Sequence, residues 1–336
     1  MNTFGKAFSI SIFGESHGDS VGIVIDGVPA GLPLKPEDFN ADLARRRSGA
    51  KGTTPRQERD EPRIMSGVFR QHTTGAPLMV LFQNSDVRSK DYSHLVKHPR
   101  PGHADLTAQQ KFGGFQDYRG GGHFSGRLTL GLIAAGTIAK KMIAPLRVEA
   151  SLLEAGGSTA VEAAVDQAIQ DRDSIGGIVG CVIDGVPAGL GEPFFDSVEA
   201  LLGHILFSIP GIKGLEFGAG FGAARMRGSE HNDNILDPEG QTETNHAGGI
   251  NGGISNGNPI VFRVAVKPTS STHQVQHTLN LETGRVEPLS IEGRHDTCIA
   301  LRVPVVVEAA ASIVMADLML QSQKIKRVQE PKAESD

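Results

Sequence analysis

The sequence predicts an α+β protein built from two related halves, with helices buried between sheets. Three observations carry this expectation. Residues 22–32 (GIVIDGVPAGL) and 180–190 (GCVIDGVPAGL) agree at ten of eleven positions, at an offset of 158 residues. DGVPAG alone would be turn chemistry, but the apolar strand before it matches as well. One long repeat of this size means a duplicated unit about a pseudo-twofold axis, since solenoid repeats recur every ~20–50 residues. Segments 126–144 and 304–323 are apolar nearly all round, which places a helix inside the protein. The other apolar runs are short, alternate like strands and stop at Gly or Pro.

In chain order, FSISIF (8–13) alternates as a strand and stops at Gly14. VGIVIDGVPAG is a second strand, so His17 of the intervening GESHG sits on a tight turn between strands. Pro36 opens a helix over 36–47, with acids first and Arg45, Arg46 and Arg47 last, as the helix dipole favours. Three consecutive arginines point in different directions, which is more than the dipole needs. The polar segment 48–62 reads as a basic loop able to cover an anionic ligand. Residues 65–84 read as two strands joined at TTGAP, and 84–97 as a polar connection.

The helix 126–144 ends at Pro145, and 159–171 forms a short amphipathic helix. Asp196 is the expected cap of a helix over 196–208. Residues 227–259 are a long polar segment whose glycine pairs predict an ordered, ligand-facing loop. IVFRVAVKPTSS (260–271) is a strand ending in a hydroxyl-rich turn. Arg294, His295 and Asp296 then precede a further strand and the second buried helix. The division expected is one catalytic domain, 1–323, made of halves 1–145 and 175–323, followed by a charged, frayed tail, 324–336.

The 336 residues are 39% hydrophobic and 21% charged, which describes a folded globular chain and excludes a disordered one. The net charge of −5 argues against nucleic acid, so any anion must be held by local clusters. With Trp 0 and Tyr 2 but Gly 42, binding rests on backbone and charge more than on aromatic stacking. Cys181 and Cys298 sit in apolar runs and read as reduced core residues. No metal site, secretory leader or membrane span is expected, and a cytoplasmic protein follows.

Residues 98–127 concentrate the chemistry. They hold His98, His103, His123, Arg100, Arg119 and Arg127 among glycines, and they run directly into the first buried helix. Glycines admit close backbone approach and a helix start offers unpaired N–H groups, so this is a good anion site.

GESHGDSVGIVIDGVP (14–29), RPGHADLTAQQKFGGFQDYRGGGHFSGR (100–127), NHAGGINGGISNG (245–257), KPTSS (267–271) and GRHDTCIALRVPVVVEA (293–309) follow one another along nearly the whole chain. Together they resemble the successive signatures of the chorismate synthase family. The resemblance implies a β-α-β sandwich, with helices between antiparallel sheets, in a homotetramer. It implies a carbon–oxygen lyase acting on phosphates, which converts 5-enolpyruvylshikimate-3-phosphate to chorismate using reduced FMN without net redox change. By motif, His17 resembles the proton donor to the leaving phosphate, His103 the group that manages the reduced flavin's charge, and Asp296 the acid near flavin N5. Arg46, Arg100 and Arg294 match basic groups for substrate and cofactor anions. His123, Phe124, Ser125, Gly252, Lys267, Pro268, Thr269, Ser270 and Ser271 match flavin-contacting positions. The chain departs from the family in His123-Phe124, usually Arg-Ser, and in Thr297, usually Pro. The resemblance leaves open both an external flavin reductant and NADPH-dependent reduction by the chain itself.

Two other functions use some of the same residues. An FMN-dependent oxidoreductase acting on a phosphorylated anion would keep the glycine loops and consume NAD(P)H, but no G-x-G-x-x-G lies between a strand and a helix. A non-catalytic phospholigand-binding protein would keep the arginines without needing His17, His103 and Asp296.

Overall fold

The computed structural model describes residues 1–54, 58–85, 94–291 and 295–325. The first half opens with strands β1 (Thr3–Phe4), β2 (Ser9–Gly14) and β3 (Ser20–Asp26). A 3-10 turn, Pro36–Phe39, leads into helix α1 (Asn40–Arg46). Strand β4 (Arg63–Ser66), a small hairpin of β5 (Val68–Phe69) and β6 (His72–Thr73), and strand β7 (Leu78–Gln83) follow. Helices α2 (Asp105–Phe112) and α3 (Thr129–Ile143) complete the half.

The second half runs β8 (Arg147–Ala155), α4 (Val161–Gln170), β9 (Gly177–Asp184), α5 (Val198–Leu206) and β10 (Ile212–Phe217). Then come α6 (Gly228–His231), the hairpin β11 (Ile250–Asn251) and β12 (Ile254–Ser255), and β13 (Ile260–Val266). A separate hairpin, β14 (Gln276–Asn280) and β15 (Arg285–Leu289), precedes α7 (Pro304–Gln321).

Both large sheets are antiparallel, and their connections repeat. The first has the order β1-β2-β3-β7-β4 and the second β10-β13-β9-β8. Setting β2 against β8, β3 against β9, β4 against β10 and β7 against β13 superimposes the two orders. Helix α1 then corresponds to α5, and α3 to α7. The repeated DGVPAGL carries the same hydrogen bonds in each half. Gly31 N donates to Thr73 O at 2.8 Å, and Gly189 N to Ser255 O at 2.8 Å. Leu32 N donates to Thr73 Oγ1 and Leu190 N to Ser255 Oγ, both at 2.9 Å. Those hydroxyls donate to Pro29 O and Pro187 O. The motif is therefore a clamp between a strand end and an inserted hairpin, which explains why strand and turn recur together.

Inward residues of both sheets, Val21, Ile23 and Ile25 on β3 and Val179, Cys181 and Ile183 on β9, are buried against the central helices. The helices α3 and α7 pack face to face between the sheets. Their approach is close at Gly136, where an added Cβ would lie 2.3 Å from Ala309 Cβ and 2.4 Å from its Cα. Helix α7 is apolar and long enough to cross a membrane, but 83% of that window is buried inside the protein, as befits a core helix.

One buried charge ties these layers. Glu308 on α7 accepts from Arg45 Nη1 at 2.6 Å and Nη2 at 2.7 Å, from Lys140 Nζ at 3.0 Å and from Ala150 N at 2.9 Å. Helices α1, α3, α7 and strand β8 thus share one carboxylate. Burial alone would raise its pKa, but the Arg45 hydrogen bonds and the Lys140 charge more than offset that and hold it low.

Three local expectations are corrected. Asp196 does not cap α5: Ser197 does, its Oγ accepting from Ala200 N at 3.1 Å, while Asp196 pairs with Lys6. No strand lies between Asp296 and α7: Ile299–Arg302 is a 3-10 turn that leads into the helix, whose first residue is Pro304. Strand β8 is not marked in the sequence, because RVEASLLEA keeps its alternation only as far as Leu152 and the pairing with β9 shifts register between Leu152 and Glu154. The 65–84 strands are β4 and β7, with β4 starting at Arg63 and the hairpin β5–β6 inserted between them. Parts of the 48–62 and 84–97 loops and most of the 324–336 tail lie outside the described residues.

Gly136→Ala should destabilise the protein by about 1–3 kcal/mol in urea unfolding, although helix propensity alone would stabilise it by about 1 kcal/mol. A more stable variant would show that the helices do not touch there. Glu308 has a lowered folded pKa, so its stabilisation is present above the ordinary value of 4.5 and is lost as pH falls through the folded value. The stability difference between the wild type and Glu308→Gln should therefore be full at pH 7 and shrink below pH ~4.

Candidate active site

Loops from both halves enclose a cavity of about 980 Å³ beside the central helices. The three consecutive arginines at the end of α1 diverge, each to a different task. Arg45 is taken by Glu308, and Arg47 Nη2 donates to Arg59 O at 2.7 Å. Arg46, 5% exposed, lines the cavity, its Nε on Thr129 Oγ1 at 2.9 Å and its Nη2 on Gly126 O at 2.8 Å. The helix start predicted as an anion site is therefore gripped by a guanidinium.

Around Arg46 lies a cluster of alternating charge. Arg127 Nη1 donates to Asp60 at 2.8 Å, and Arg46 Nη1 stands 3.7 Å from the other Asp60 oxygen. Arg302 donates through Nε to Arg46 O at 2.8 Å and through Nη1 to both Asp296 oxygens at 3.1 and 3.2 Å. Thr54 N also donates to Asp296, at 2.9 Å. Burial above all, and then the Arg302 charge, push the Arg46 guanidinium down to about 9. It remains a cation at neutral pH, held in a place that an incoming anion would relieve.

A second group sits on the RPGHAD loop. Arg100 donates to Asp105 through Nε and Nη2, both at 2.8 Å, and to Ser271 Oγ through Nη1 at 3.1 Å. His103 Nδ1 is 2.6 Å from Asp105 Oδ1. Lys267 Nζ and Ser270 Oγ both donate to Gly102 O, so the KPTSS turn is fastened to this loop. Burial, and then the Lys213 charge, lower the Lys267 pKa.

The glycine run between them is the tightest part. Gly120, Gly121 and Gly122 all have positive φ, at 59°, 82° and 52°, which L side chains rarely adopt. A Cβ on Gly120 would lie 2.1 Å from His17 Nδ1, and one on Gly121 would lie 3.5 Å from His103 Nε2. The turn therefore passes between the two imidazoles. Asn84 holds the GESHG turn by donating to Glu15 O and Gly18 O, and accepts from Arg127 Nε.

Of the residues singled out in the sequence, Arg46, Arg100, His103, His123, Phe124, Ser125, Asp296 and the run Lys267 to Ser271 line this cavity. His123 replaces an expected cation and places its ring nitrogens 2.8 Å from Gly14 O and 3.1 Å from Asn2 Oδ1. Phe124 tilts against Phe112 at 6.3 Å. Ser125 caps the 3-10 turn before α3 through Arg127 N. Two residues are placed elsewhere. His17 is 6% exposed and lies beneath Gly120, which is itself part of the cavity wall. Gly252 does not line the cavity, because with Gly253 it makes the two-residue β11–β12 turn, at φ 60° and 85°. Arg294 lies outside the described residues.

Arg302, Asp60 and Asp105 have no role in the sequence pattern, and Arg127 is marked there only as one cation of the 98–127 stretch. Arg127, Asp105 and Arg302 all fall inside the quoted motifs, but Asp60 sits in a charged loop with no pattern to mark it. Among the described residues no group of His, Cys, Asp or Glu could hold a metal ion.

Comparison with known proteins agrees on one family. The family model for chorismate synthase matches residues 8–320. A chorismate synthase from Chitinophaga pinensis is 63% identical over 329 residues, covering 98% of this chain and 99% of that protein. One from Dehalococcoides mccartyi is 47% identical, covering 97% and 99%. A solved structure described as a crystal structure of chorismate synthase superimposes with a TM-score of 0.73 at 25% identity, covering 95% of this chain and 93% of that one.

Asp60 neutralises a buried cluster, so Asp60→Asn should cost about 3–5 kcal/mol in denaturant unfolding, the range for breaking one partner of a buried pair. A loss below about 1 kcal/mol would mean that solvent already screens the arginines.

Proposed function

Because the chain belongs to the chorismate synthase family, whose members are carbon–oxygen lyases of aromatic amino-acid biosynthesis, we propose that this cavity turns 5-enolpyruvylshikimate-3-phosphate into chorismate and phosphate with reduced FMN. The observation that carries the reading is the guanidinium cluster of buried Arg46 and Arg127 and half-buried Arg302, with an imidazole, His103, and a hydroxyl turn, Thr269 to Ser271, in the same cavity. The substrate bears a phosphate and two carboxylates, and FMN another phosphate. An overall acidic chain must meet them with local donors, and this wall gathers three guanidiniums, held in place by Asp60 and Asp296.

The residues fit a flavin. The volume is at the upper end of the ~300–1,000 Å³ range of ligand sites, room for a cofactor beside a substrate. Lys267, Thr269, Ser270 and Ser271 offer donors for a phosphate, and Leu132, Ile205, Ile299 and Val306 offer an apolar wall for a ring system. Reduced FMN, when bound, would supply the electron density that lets an unactivated allylic position eliminate phosphate.

The chain's own part is charge and proton control. Arg46 and its neighbours hold the substrate anions and keep the phosphate aligned as it leaves. His17 gives a proton to the departing phosphate, which requires the glycine turn above it to shift. His103 balances charge at the cofactor, and Asp296, oriented by Arg302 and Thr54, receives a proton at the cofactor's edge. Arg100 is largely committed to Asp105 and Ser271, so its contribution to anion binding is mostly field. The enzyme works in the cytoplasm as a homotetramer. Outward Leu153 and Val182 on the second sheet, each 41% exposed, support association.

Anaerobic phosphate release and flavin absorbance, followed together, test the reading. Activity should need reduced FMN, fail with oxidised FMN and leave the flavin reduced after many turnovers. His17→Ala should lower turnover about 10²–10⁴-fold while substrate still binds. One flavin oxidised per phosphate would instead indicate an oxidoreductase.

A further inference from the structure

Resting on the reading of His103 as a working imidazole, we infer that Asp105 is a positioning residue that fixes which His103 nitrogen serves the cavity. Asp105 is the first residue of α2, and its side chain is 13% exposed. The carboxylate is held from several sides. Oδ2 accepts from Arg100 Nε at 2.8 Å and from Arg100 N at 3.1 Å, and Oδ1 accepts from Arg100 Nη2 at 2.8 Å. Burial would raise its pKa, but the Arg100 and His103 hydrogen bonds outweigh that and keep it ionised. An ionised carboxylate only accepts.

At 2.6 Å from such an oxygen a lone pair on His103 Nδ1 would be repelled, which favours the hydrogen there. Arg100 Nη2 is placed to donate to Nδ1 at 3.1 Å, which would need the opposite tautomer, but a lone pair facing the ionised oxygen at 2.6 Å is the costlier arrangement, so the carboxylate contact outweighs it. Neutral His103 is then the Nδ1–H tautomer. Nε2, on the side of Gly121, keeps the lone pair when neutral and the movable proton when cationic. The Gly121 backbone and the Arg100–Asp105 pair set the ring between two fixed walls. Asp105 touches no ligand on this reading and acts through His103.

Two measurements separate this from a merely structural salt bridge with Arg100. In anaerobic phosphate release with reduced FMN, Asp105→Asn should lower kcat about 10- to 100-fold, part of what an acid–base group contributes. In a His103→Ala background the same change should cost less than about 2-fold more, because the effect passes through the missing ring. Equal losses in both backgrounds would overturn the proposal. By ¹⁵N NMR of histidine-labelled protein, neutral His103 should be protonated at Nδ1 in the wild type and shift toward Nε2–H in Asp105→Asn. An unchanged tautomer would overturn it too. Should Asp105→Asn fail to fold, Asp105→Glu takes its place, keeping the charge for Arg100 while moving the oxygen relative to Nδ1. Absence of phosphate release by the wild type would defeat the proposed reaction, whereas the NMR arm would still judge Asp105.

Discussion

The structure depends on how closely α3 and α7 can approach. Two apolar helices lying between two sheets must fill the space without separating them, and Gly136 facing Ala309 is what lets the backbones meet. That contact fixes the sheet spacing, and Glu308 then fixes the rotation of α7 by holding α1, α3 and β8 at once. A buried carboxylate with three partners tolerates little displacement. The cavity inherits this rigidity, since Arg46 ends the helix whose preceding residue is locked to Glu308 and sits on the start of α3. Core packing and the chemistry of the site are adjacent in sequence as well as in space.

The cavity is assembled from loops that share no single element. The RPGHAD loop and the KPTSS turn are fastened through Gly102 O and Ser271, and Arg302 joins the start of α7 to the end of α1. These links are hydrogen bonds between a side chain and a backbone or a distant polar group. They orient charged groups that would otherwise repel, and they leave the guanidinium cluster near electrical balance through Asp60 and Asp296. A site built this way is ready for anions without holding a large uncompensated charge.

Much of this was legible in the sequence, for physical reasons. The repeated GVPAGL marked real equivalence because the apolar strand and the turn both serve the same clamp, and all-round apolar composition located the central helices. The triple arginine announced that one of its members had a task beyond the dipole. The limits are equally physical. β8 loses its alternation at Leu152–Leu153, where its pairing with β9 shifts register. Asp60 has no local pattern, since its partners Arg127 and Arg46 are brought to it only by the fold. His17 reads as a turn residue, and nothing in GESHG says that a glycine from 103 residues further on will cover its ring.

The turn at Gly120 to Gly122 has a consequence for inhibition. An added Cβ would lie 2.1 Å from His17 Nδ1 at Gly120 and 2.0 Å from Asp117 O at Gly122, and at Gly121 the positive φ of 82° disfavours any side chain although there is space for one. A compound that hydrogen-bonds to the main chain there would be holding atoms that every variant of the protein must retain. Resistance ordinarily arises by changing the side chains a drug touches. At this turn there are none to change, and replacing Gly120 would press on His17 before it loosened the drug.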